Sequence, residues 1–174
     1  MAVFGAGVPN GGDMRVFANM PLRGSFIDQS NSLSSKAQTP SFLLKARVYY
    51  EDTDAGGMVY HATYLRFMER ARTDWLRSLG YEQQVARERH NLGFIVRSLT
   101  LDYVKGARLD DLLDVSVTIV RRGGASLNFA QEVRRADDGV LCCRGLVKVA
   151  CVWADSLKPR PLPEQLLAEI ADVC

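Results

Sequence analysis

One long segment of this sequence has the hydrophobic period of a helix, and it limits the fold because its apolar face needs a cover. Its apolar residues recur at spacings of three and four, as in an amphipathic helix, and they are Tyr64, Phe67, Met68, Ala71, Trp75 and Leu79. We expect this helix to begin between Val59 and Thr63, with Thr63 as a candidate N-cap, and to end at Gly80. No second segment of this length has the same period, so the cover is expected to be a sheet.

Segments with the alternating period of strands lie on both sides of the helix. A first strand is predicted from Ser41, with one face formed by Phe42, Leu44, Ala46, Val48 and Tyr50. Four more strands are predicted after the helix, with the apolar sets Ile95, Leu99, Leu101 and Tyr103; Leu113, Val115, Val117 and Ile119; Leu127, Phe129 and Val133; and Leu141, Cys143, Val147, Val149, Cys151 and Trp153. Short turns between these four strands predict an antiparallel meander. Shorter helices are expected at 82–90 and 161–173.

This order of elements predicts an α+β domain at residues 41–174, in which one curved antiparallel sheet covers one long helix. A single sheet and a single helix leave apolar surface uncovered, so we expect self-association, at least to a dimer, through sheet edges. Residues 1–40 are rich in Gly, Asn, Ser and Pro without a regular period, which predicts a flexible N-terminal extension. Translation that starts at Met14 or Met20 is the alternative, and it would shorten this extension.

Composition and charge remove several classes of protein. The 174 residues carry 22 basic and 20 acidic side chains, and the net charge of +2 provides no general attraction for nucleic acid or an anionic membrane. No apolar run is long enough to span a bilayer and no secretory signal pattern is present, so a cytoplasmic protein is expected. Two histidines and four cysteines without a CxxC pair form no zinc-ligand pattern, so no metal is expected. Cys143 and Cys151 occupy apolar strand positions and are expected to be buried thiols.

The segment at residues 49–61, between the first strand and the helix, is the most unusual part of the sequence. It combines three carboxylates, three tyrosines, His61 and two glycines. A carboxylate just before a helix lies near unpaired backbone N–H groups, and these groups can also polarise a carbonyl oxygen under attack. The alternative is structural, because acidic residues and glycines are common turn formers and helix caps.

The run from Arg47 through Trp75, RVYYEDTDAGGMVYHATYLRFMERARTDW, resembles the signature of hotdog-fold acyl-CoA thioesterases of the 4-hydroxybenzoyl-CoA thioesterase type. It is most similar to the branch associated with the bacterial Tol–Pal system. The similarity extends through GFIVRSLTLDYVKGARLDDLLDV and RRGGASLNF to VWADSLKPRPLP, so it covers residues 44–163. The resemblance implies a hotdog fold, which is a five-stranded antiparallel sheet wrapped around one long helix. It also implies a dimer or homotetramer with active sites at the dimer interface.

In that family the second aspartate of the D-x-D motif is the catalytic carboxylate, which implies Asp54 here. Tyr50 and His61 fall where the Tol–Pal branch has supporting catalytic residues, and the backbone N–H at His61 would polarise the thioester carbonyl. Asp52 would orient the loop. Asp54 fits two roles, nucleophile or general base, and neither requires a metal or a cofactor.

The resemblance also implies basic residues that hold the phosphates of coenzyme A, and the candidates are Arg97, Lys105, Arg108, Arg121, Arg122 and Ser126. The acyl group would contact Met58, Tyr64 and Phe67, unless these residues belong to the core. One alternative function is a scaffold at the inner membrane that binds acyl carrier protein through Arg66, Arg70 and Arg77, with incidental turnover. Another alternative is a hotdog dehydratase.

Overall fold

The computed structural model describes residues 40–171, and the prediction for the extension at residues 1–40 falls outside this range except at Pro40. Cys174 lies outside it as well. The strands are β1 (Phe42–Arg47), β2 (Leu92–Tyr103), β3 (Leu112–Arg122), β4 (Ser126–Arg135) and β5 (Leu141–Trp153). The helices are α1 (Thr63–Ser78), α2 (Gln83–His90) and α3 (Glu164–Glu169), with a short 3₁₀ turn at Tyr50–Asp52.

The five strands form one antiparallel sheet in the order β1-β3-β4-β5-β2, so β1 and β2 are its edges. The predicted number of strands and the α+β architecture are confirmed. The predicted meander of four strands is wrong, because only β3, β4 and β5 follow one another and β2 pairs with β5 instead of β3.

The connection between β2 and β3 explains this strand order. Ala107 in the connection is fully buried, and its backbone oxygen accepts a hydrogen bond from the Val59 N–H at 2.8 Å. Its own N–H donates to the Tyr64 hydroxyl at 2.9 Å. These two bonds hold the connection against the segment that enters α1, so the chain crosses there instead of forming a tight hairpin.

The apolar stripe of α1 packs against the inner face of the sheet, as the periodicity predicts. Phe67, Met68 and Ala71 have no exposed surface. The inner faces of β3 and β4 are likewise buried and lie beneath the helix. In the first strand the predicted alternation holds through Val48 but is wrong at Tyr50, which is 82% exposed because the chain has already entered the 3₁₀ turn.

A buried glutamine joins α1 to the sheet. The Gln131 side chain on β4 donates to the backbone oxygen of Met68 at 3.1 Å and accepts from the Arg72 guanidinium at 2.6 Å. Burial lowers the pKa of Arg72 from its ordinary value. Gln131 interrupts the apolar series of β4 but satisfies its polar atoms, as a buried amide must.

Because of a β-bulge in β2, one residue of this strand lies on a different face from the one predicted. The register with β5 shifts between Val96 and Ser98, which leaves Arg97 unpaired in the ladder. An extra residue reverses the alternation of a strand, so Ile95 faces away from the side shared by Leu99 and Leu101. The prediction that these three residues share one face is therefore wrong at Ile95.

The predicted end of α1 is confirmed, and its predicted cap is wrong. Gly80 follows the helix with a φ of +82°, which is the left-handed conformation that glycine adopts without strain. At the other end the N-cap is Ala62, no side chain caps the helix, and Thr63 is already the first helical residue.

The three cysteines in the described part of the chain, Cys142, Cys143 and Cys151, are free and buried, as expected for the last two. Burial raises the pKa of Cys143 and of Cys151 to about 11 in each case, so both remain protonated thiols at neutral pH. Within residues 40–171 no helix is both long enough and apolar enough to cross a bilayer.

Candidate active site

A tight hairpin carries Asp54. The Asp54 N–H donates to the Met58 carbonyl at 3.0 Å, and the Gly57 N–H donates to the Asp54 carbonyl at 3.0 Å. Gly57 has a φ of +72°. This is the pattern of a three-residue hairpin loop that ends on a left-handed residue, and it explains why the sequence has glycine at this point. Thr53 and Val59 pair on the two sides of the loop.

The Asp54 carboxylate is exposed, and one of its two oxygens accepts a hydrogen bond from its own loop. Its Oδ1 atom accepts the Gly56 N–H at 2.8 Å, which fixes the side chain over the turn. A Cβ atom at position 56 would lie 3.0 Å from the same oxygen, so glycine there leaves room for it. The second oxygen, Oδ2, accepts no hydrogen bond from residues 40–171 and is available to a ligand or to water.

The neighbouring carboxylate, Asp52, is buried and has a structural partner. Its Oδ2 atom accepts the Tyr49 N–H at 2.9 Å, and its backbone oxygen accepts the Tyr60 N–H at 2.8 Å. Asp52 therefore joins the two sides of the loop, as expected of a residue that orients it. Tyr50 projects from the 3₁₀ turn with its ring in solvent.

The start of α1 presents unpaired donors. The N–H groups of His61 and Ala62 donate to no atom of the described residues. No acidic side chain lies in the first turn. Backbone N–H groups without partners at a helix start carry partial positive charge, so they attract an anion or a carbonyl oxygen.

Aromatic rings surround this helix start. The His61 ring lies 4.2 Å from the Tyr60 ring and 6.4 Å from the Tyr103 ring, measured between centroids. Tyr103, at the end of β2, donates its hydroxyl to the backbone oxygen of His61 at 3.0 Å. Tyr103 also packs edge-on against Tyr64, with 5.8 Å between the centroids.

Tyr64 belongs to the supporting layer beneath the site. Burial raises its pKa to about 12, although the hydrogen bond from the Ala107 N–H acts in the opposite direction. Tyr64 and Phe67 are core residues in the single chain, so of the three predicted acyl contacts only Met58 is exposed. Met58 covers Gly106, where an added Cβ would lie 2.5 Å from the methionine sulfur.

The structure divides the predicted coenzyme A contacts into three places. Lys105 and Arg108 lie in the β2–β3 connection, which contacts the end of β1 through the bond from the Asp110 N–H to the Val48 oxygen. Arg97 is at the bulge of β2. The other three candidates lie around the β3–β4 turn, and they are Arg121, Arg122 and Ser126.

One chain does not bring these groups together. β3 is 11 residues long and separates the connection from the β3–β4 turn. At ~3.3 Å per residue this is a strand of ~35 Å. Lys105 and Arg108 therefore lie at the same end of the sheet as Asp54, whereas the residues of the β3–β4 turn lie at the opposite end.

The sequence does not predict two features of this region. The first is that the β2–β3 connection packs on the loop through Gly106 and Ala107. The second is the hydrogen bond of the Tyr103 hydroxyl, because the sequence predicts Tyr103 only as an apolar strand residue. A tyrosine at the end of a predicted strand was the one available signal, because its hydroxyl needs a partner when the ring is partly covered. Across residues 40–171 no group of three or more His, Cys, Asp or Glu side chains could hold a metal ion.

Comparison with known proteins places the chain in a family. A family model described as the thioesterase-like superfamily matches residues 48–170. The acyl-CoA thioesterase YbgC of Haemophilus influenzae is 46% identical over 127 residues, which are 73% of this chain and 92% of that protein. The acyl-CoA thioester hydrolase YbgC of Escherichia coli O157:H7 is 45% identical over 131 residues, or 75% of this chain and 96% of that protein.

A solved structure agrees with these sequence matches. The crystal structure of a 1,4-dihydroxy-2-naphthoyl-CoA thioesterase from Synechocystis superposes with a TM-score of 0.71 at 25% identity, over 76% of this chain and 96% of that one. The chain belongs to the thioesterase-like superfamily, and it is an enzyme of the thioester hydrolase class. The predicted family, enzyme class and hotdog fold are confirmed, whereas the association with the Tol–Pal system stays a prediction.

Proposed function

We propose that this enzyme hydrolyses acyl-CoA thioesters to the free acid and coenzyme A, with Asp54 as the catalytic carboxylate. The observation that supports this most directly is the pairing of two features in one short segment. Asp54 has a free oxygen on the hairpin, and seven residues later the chain reaches two backbone N–H groups, of His61 and Ala62, without partners among residues 40–171. A thioester carbonyl held by these N–H groups would develop its negative charge where they can stabilise it.

Two routes fit this arrangement. In the first, Asp54 Oδ2 forms a bond to the acyl carbon, the C–S bond breaks, and coenzyme A leaves as a thiolate that takes a proton from water. Water then opens the mixed anhydride and restores the carboxylate. In the second, Asp54 takes a proton from water while the water oxygen attacks, and the proton passes to the leaving sulfur. A single turnover in ¹⁸O-labelled water tests the first route, because label in the Asp54 carboxylate requires the anhydride.

Tyr50 and His61 are proposed as supporting residues. The His61 side chain is exposed at the helix start, within reach of a thioester that the backbone donors hold. Tyr50 is exposed as well and projects from the turn that leads to Asp54. Neither side chain makes a hydrogen bond within the described residues, so both are available to substrate.

We further propose that the active form is a dimer joined along β2. Val96, Leu99 and Tyr103 on this edge strand are 48%, 41% and 50% exposed, although they face the same side as the buried residues of β5. The other edge strand, β1, has the exposed side chains of Lys45 and Arg47, and these charges disfavour pairing with a strand of another chain. A partner along β2 would cover the apolar edge. Arg97 or the β3–β4 turn of one chain would then contact a coenzyme A molecule that is bound at Asp54 of the other chain.

The test of the proposed function is the release of free thiol from short-chain, long-chain and aromatic acyl-CoA substrates. Asp54→Asn keeps the shape of the side chain and removes its charge, so kcat is expected to fall by about 10²–10⁴-fold. Glu51→Gln is the matched control, because it removes a carboxylate from the same loop at an exposed position. An Asp54→Asn enzyme with the parent's rate would contradict the assignment. Failure of the parent to release thiol from any of these substrates would contradict the activity and favour the scaffold or dehydratase alternatives.

A further inference from the structure

The hydroxyl of Tyr103 makes a hydrogen bond that the proposed chemistry does not yet explain. Tyr103 is the last residue of β2, and the hydroxyl donates to the backbone oxygen of His61 at 3.0 Å. The two residues are 42 positions apart in the sequence. This bond joins an edge strand of the sheet to the backbone just before α1.

The bond acts on a peptide that carries one of the free donors. The carbonyl of His61 and the N–H of Ala62 belong to the same peptide group, and a planar trans peptide directs them to opposite sides. A partner that fixes the carbonyl therefore also fixes the direction of the Ala62 N–H. The preceding peptide is fixed in the same way, because the Thr63 N–H donates to the Tyr60 oxygen at 2.8 Å and so orients the His61 N–H.

The same bond also strengthens the donor. A hydrogen bond to the carbonyl oxygen polarises the whole peptide group, so the N–H at the other end becomes a better donor. Within residues 40–171 Tyr103 is the only side chain that donates to the peptide oxygens of Tyr60 or His61.

The ring of Tyr103 is held independently of its hydroxyl. It packs edge-on against Tyr64, and the Tyr64 hydroxyl is fixed by the Ala107 N–H at 2.9 Å. Partial burial raises the pKa of Tyr103 above its ordinary value, so the hydroxyl is a neutral donor throughout the range in which an esterase is assayed. A phenylalanine at this position would therefore keep the packing and lose only the hydrogen bond.

We propose that Tyr103 is a positioning residue for hydrolysis, which orients and strengthens the Ala62 N–H as a donor to the thioester oxygen. This inference rests on the proposed function, because it assigns a reason for the geometry of the same donors. It adds a residue from β2, so that the strand, and not the helix start alone, determines how well the carbonyl is polarised.

The kinetic test is Tyr103→Phe, with Tyr81→Phe as the control that removes a tyrosine hydroxyl beyond the opposite end of α1. A donor that acts on the developing negative charge affects the transition state more than the bound substrate, so kcat is expected to fall by about tenfold with KM within about twofold of the parent. Tyr81→Phe is expected to keep both constants. A Tyr103→Phe kcat within about twofold of the parent, or a change confined to KM, would overturn the proposal.

A spectroscopic measurement separates positioning from a general loss of structure. Benzoyl-CoA labelled with ¹³C at the carbonyl is bound to the Asp54→Asn variant, and the carbonyl stretch is measured by infrared difference spectroscopy. Backbone donors that polarise the carbonyl lower this frequency relative to free benzoyl-CoA. Adding Tyr103→Phe is expected to move the band part of the way back toward the free value, and an unmoved band would overturn the proposal.

The two proposals fail in different ways. If the parent releases no thiol from any acyl-CoA substrate, the proposed activity fails, and if Asp54→Asn hydrolyses benzoyl-CoA at the parent's rate, the proposed role of Asp54 fails, whatever Tyr103 does. If Asp54→Asn is inactive but Tyr103→Phe retains the parent's kcat and leaves the carbonyl band in place, the proposed function stands and only the role of Tyr103 is overturned.

Discussion

The two ends of α1 are built in opposite ways. At the C-terminal end, the Tyr81 N–H donates to the Leu76 oxygen and the Gly80 N–H to the Arg77 oxygen, both at 2.9 Å. These are the two bonds of a Schellman motif, and Arg77 adds a positive charge near the exposed carbonyls. At the N-terminal end the cap position is Ala62, which has no side chain that could accept a hydrogen bond.

The difference shows which end satisfies its own polar groups and which end keeps the free donors that the proposed reaction would use. The capped C-terminal end of α1, which we call the closed end, satisfies its own polar groups, so its backbone has no free group for a ligand. The N-terminal end, which we call the open end, has no side-chain cap. An uncapped helix terminus is less stable by about 1 kcal/mol than one with a Ser, Thr or Asp cap. The chain accepts this cost at the end that lies next to Asp54, where the free N–H groups are useful to the proposed reaction.

High pH is expected to have the largest effect on stability, and it acts more on the open end than on the closed one. Burial raises the pKa of Tyr64 to about 12 and raises that of Tyr81 beyond the closed end. A group whose pKa is raised on folding stabilises the folded state below its unfolded value, and that stabilisation is lost as pH rises through the folded value. The contribution of Tyr64 is therefore lost between about pH 10 and 12.

The buried thiols act in the same direction and begin earlier. The pKa values of Cys143 and Cys151 rise from 9.0 to about 11, so their contribution is lost over that interval. Denaturant titrations of the parent, Tyr64→Phe and Tyr81→Phe at pH 8–12 would measure how steeply the free energy of unfolding of each protein falls with pH. The decline of the free energy of unfolding between about pH 10 and 12 should be shallower in Tyr64→Phe than in Tyr81→Phe. Equal slopes for the two variants would contradict the difference between the ends.

A pair of glycine substitutions is expected to have the next largest effect. Gly57 near the open end and Gly80 at the closed end have φ values of +72° and +82°. Alanine in this conformation costs about 1–2 kcal/mol, so both Gly57→Ala and Gly80→Ala should lower the free energy of unfolding by this amount. Only Gly57→Ala should also lower kcat, because that residue closes the hairpin that carries Asp54.

Gly124→Ala provides the control for this pair. An added Cβ there would meet no atom within 4 Å, and the backbone is not left-handed. It should leave stability unchanged, as measured by thermal unfolding. A Gly80→Ala enzyme with reduced kcat per folded molecule would show that the closed end also takes part in the reaction.

Ala62→Asp is expected to have the smallest effect on stability, and it should affect stability and activity in opposite directions. An acidic side chain there should raise the free energy of unfolding by about 0.5 kcal/mol, because its negative charge interacts favourably with the positive end of the helix dipole. The same charge should oppose negative charge on the thioester oxygen and reduce kcat by about tenfold. Ala62→Asn is the neutral control, with little change in stability and a smaller loss of activity. A more stable Ala62→Asp enzyme with the parent's kcat would contradict the assignment of these donors to catalysis.

Local features of the structure could be predicted well. The period of three and four identified α1, and the sequence Asp-Ala-Gly-Gly predicted a turn where the hairpin lies. Gly80 ended the helix as expected, because the left-handed conformation after a helix is a local property of one residue. Thr63 shows the limit of such reasoning, since a good capping side chain was present one position too late.

Long-range features could not be predicted in the same way. The position of β2 beside β5 depends on a connection that is held by Val59 and Tyr64, and neither of these is close to it in sequence. Ile95 was assigned to the wrong face because a bulge has no reliable pattern in a single sequence. The hydrogen bond from Tyr103 to His61 depends on that strand order, so it could not be found before the topology was known.

The sequence by itself determined the elements of this protein, the loop that carries Asp54 and the family to which the chain belongs, because periodicity, turn residues and a dense motif are recorded over a few adjacent residues. Only the tertiary structure decided which strand lies at each edge, which basic residues accompany Asp54 and which hydroxyl contacts the start of α1. These depend on how segments far apart in the chain pack together, and the free energy of that packing belongs to the pair of segments and not to either one alone.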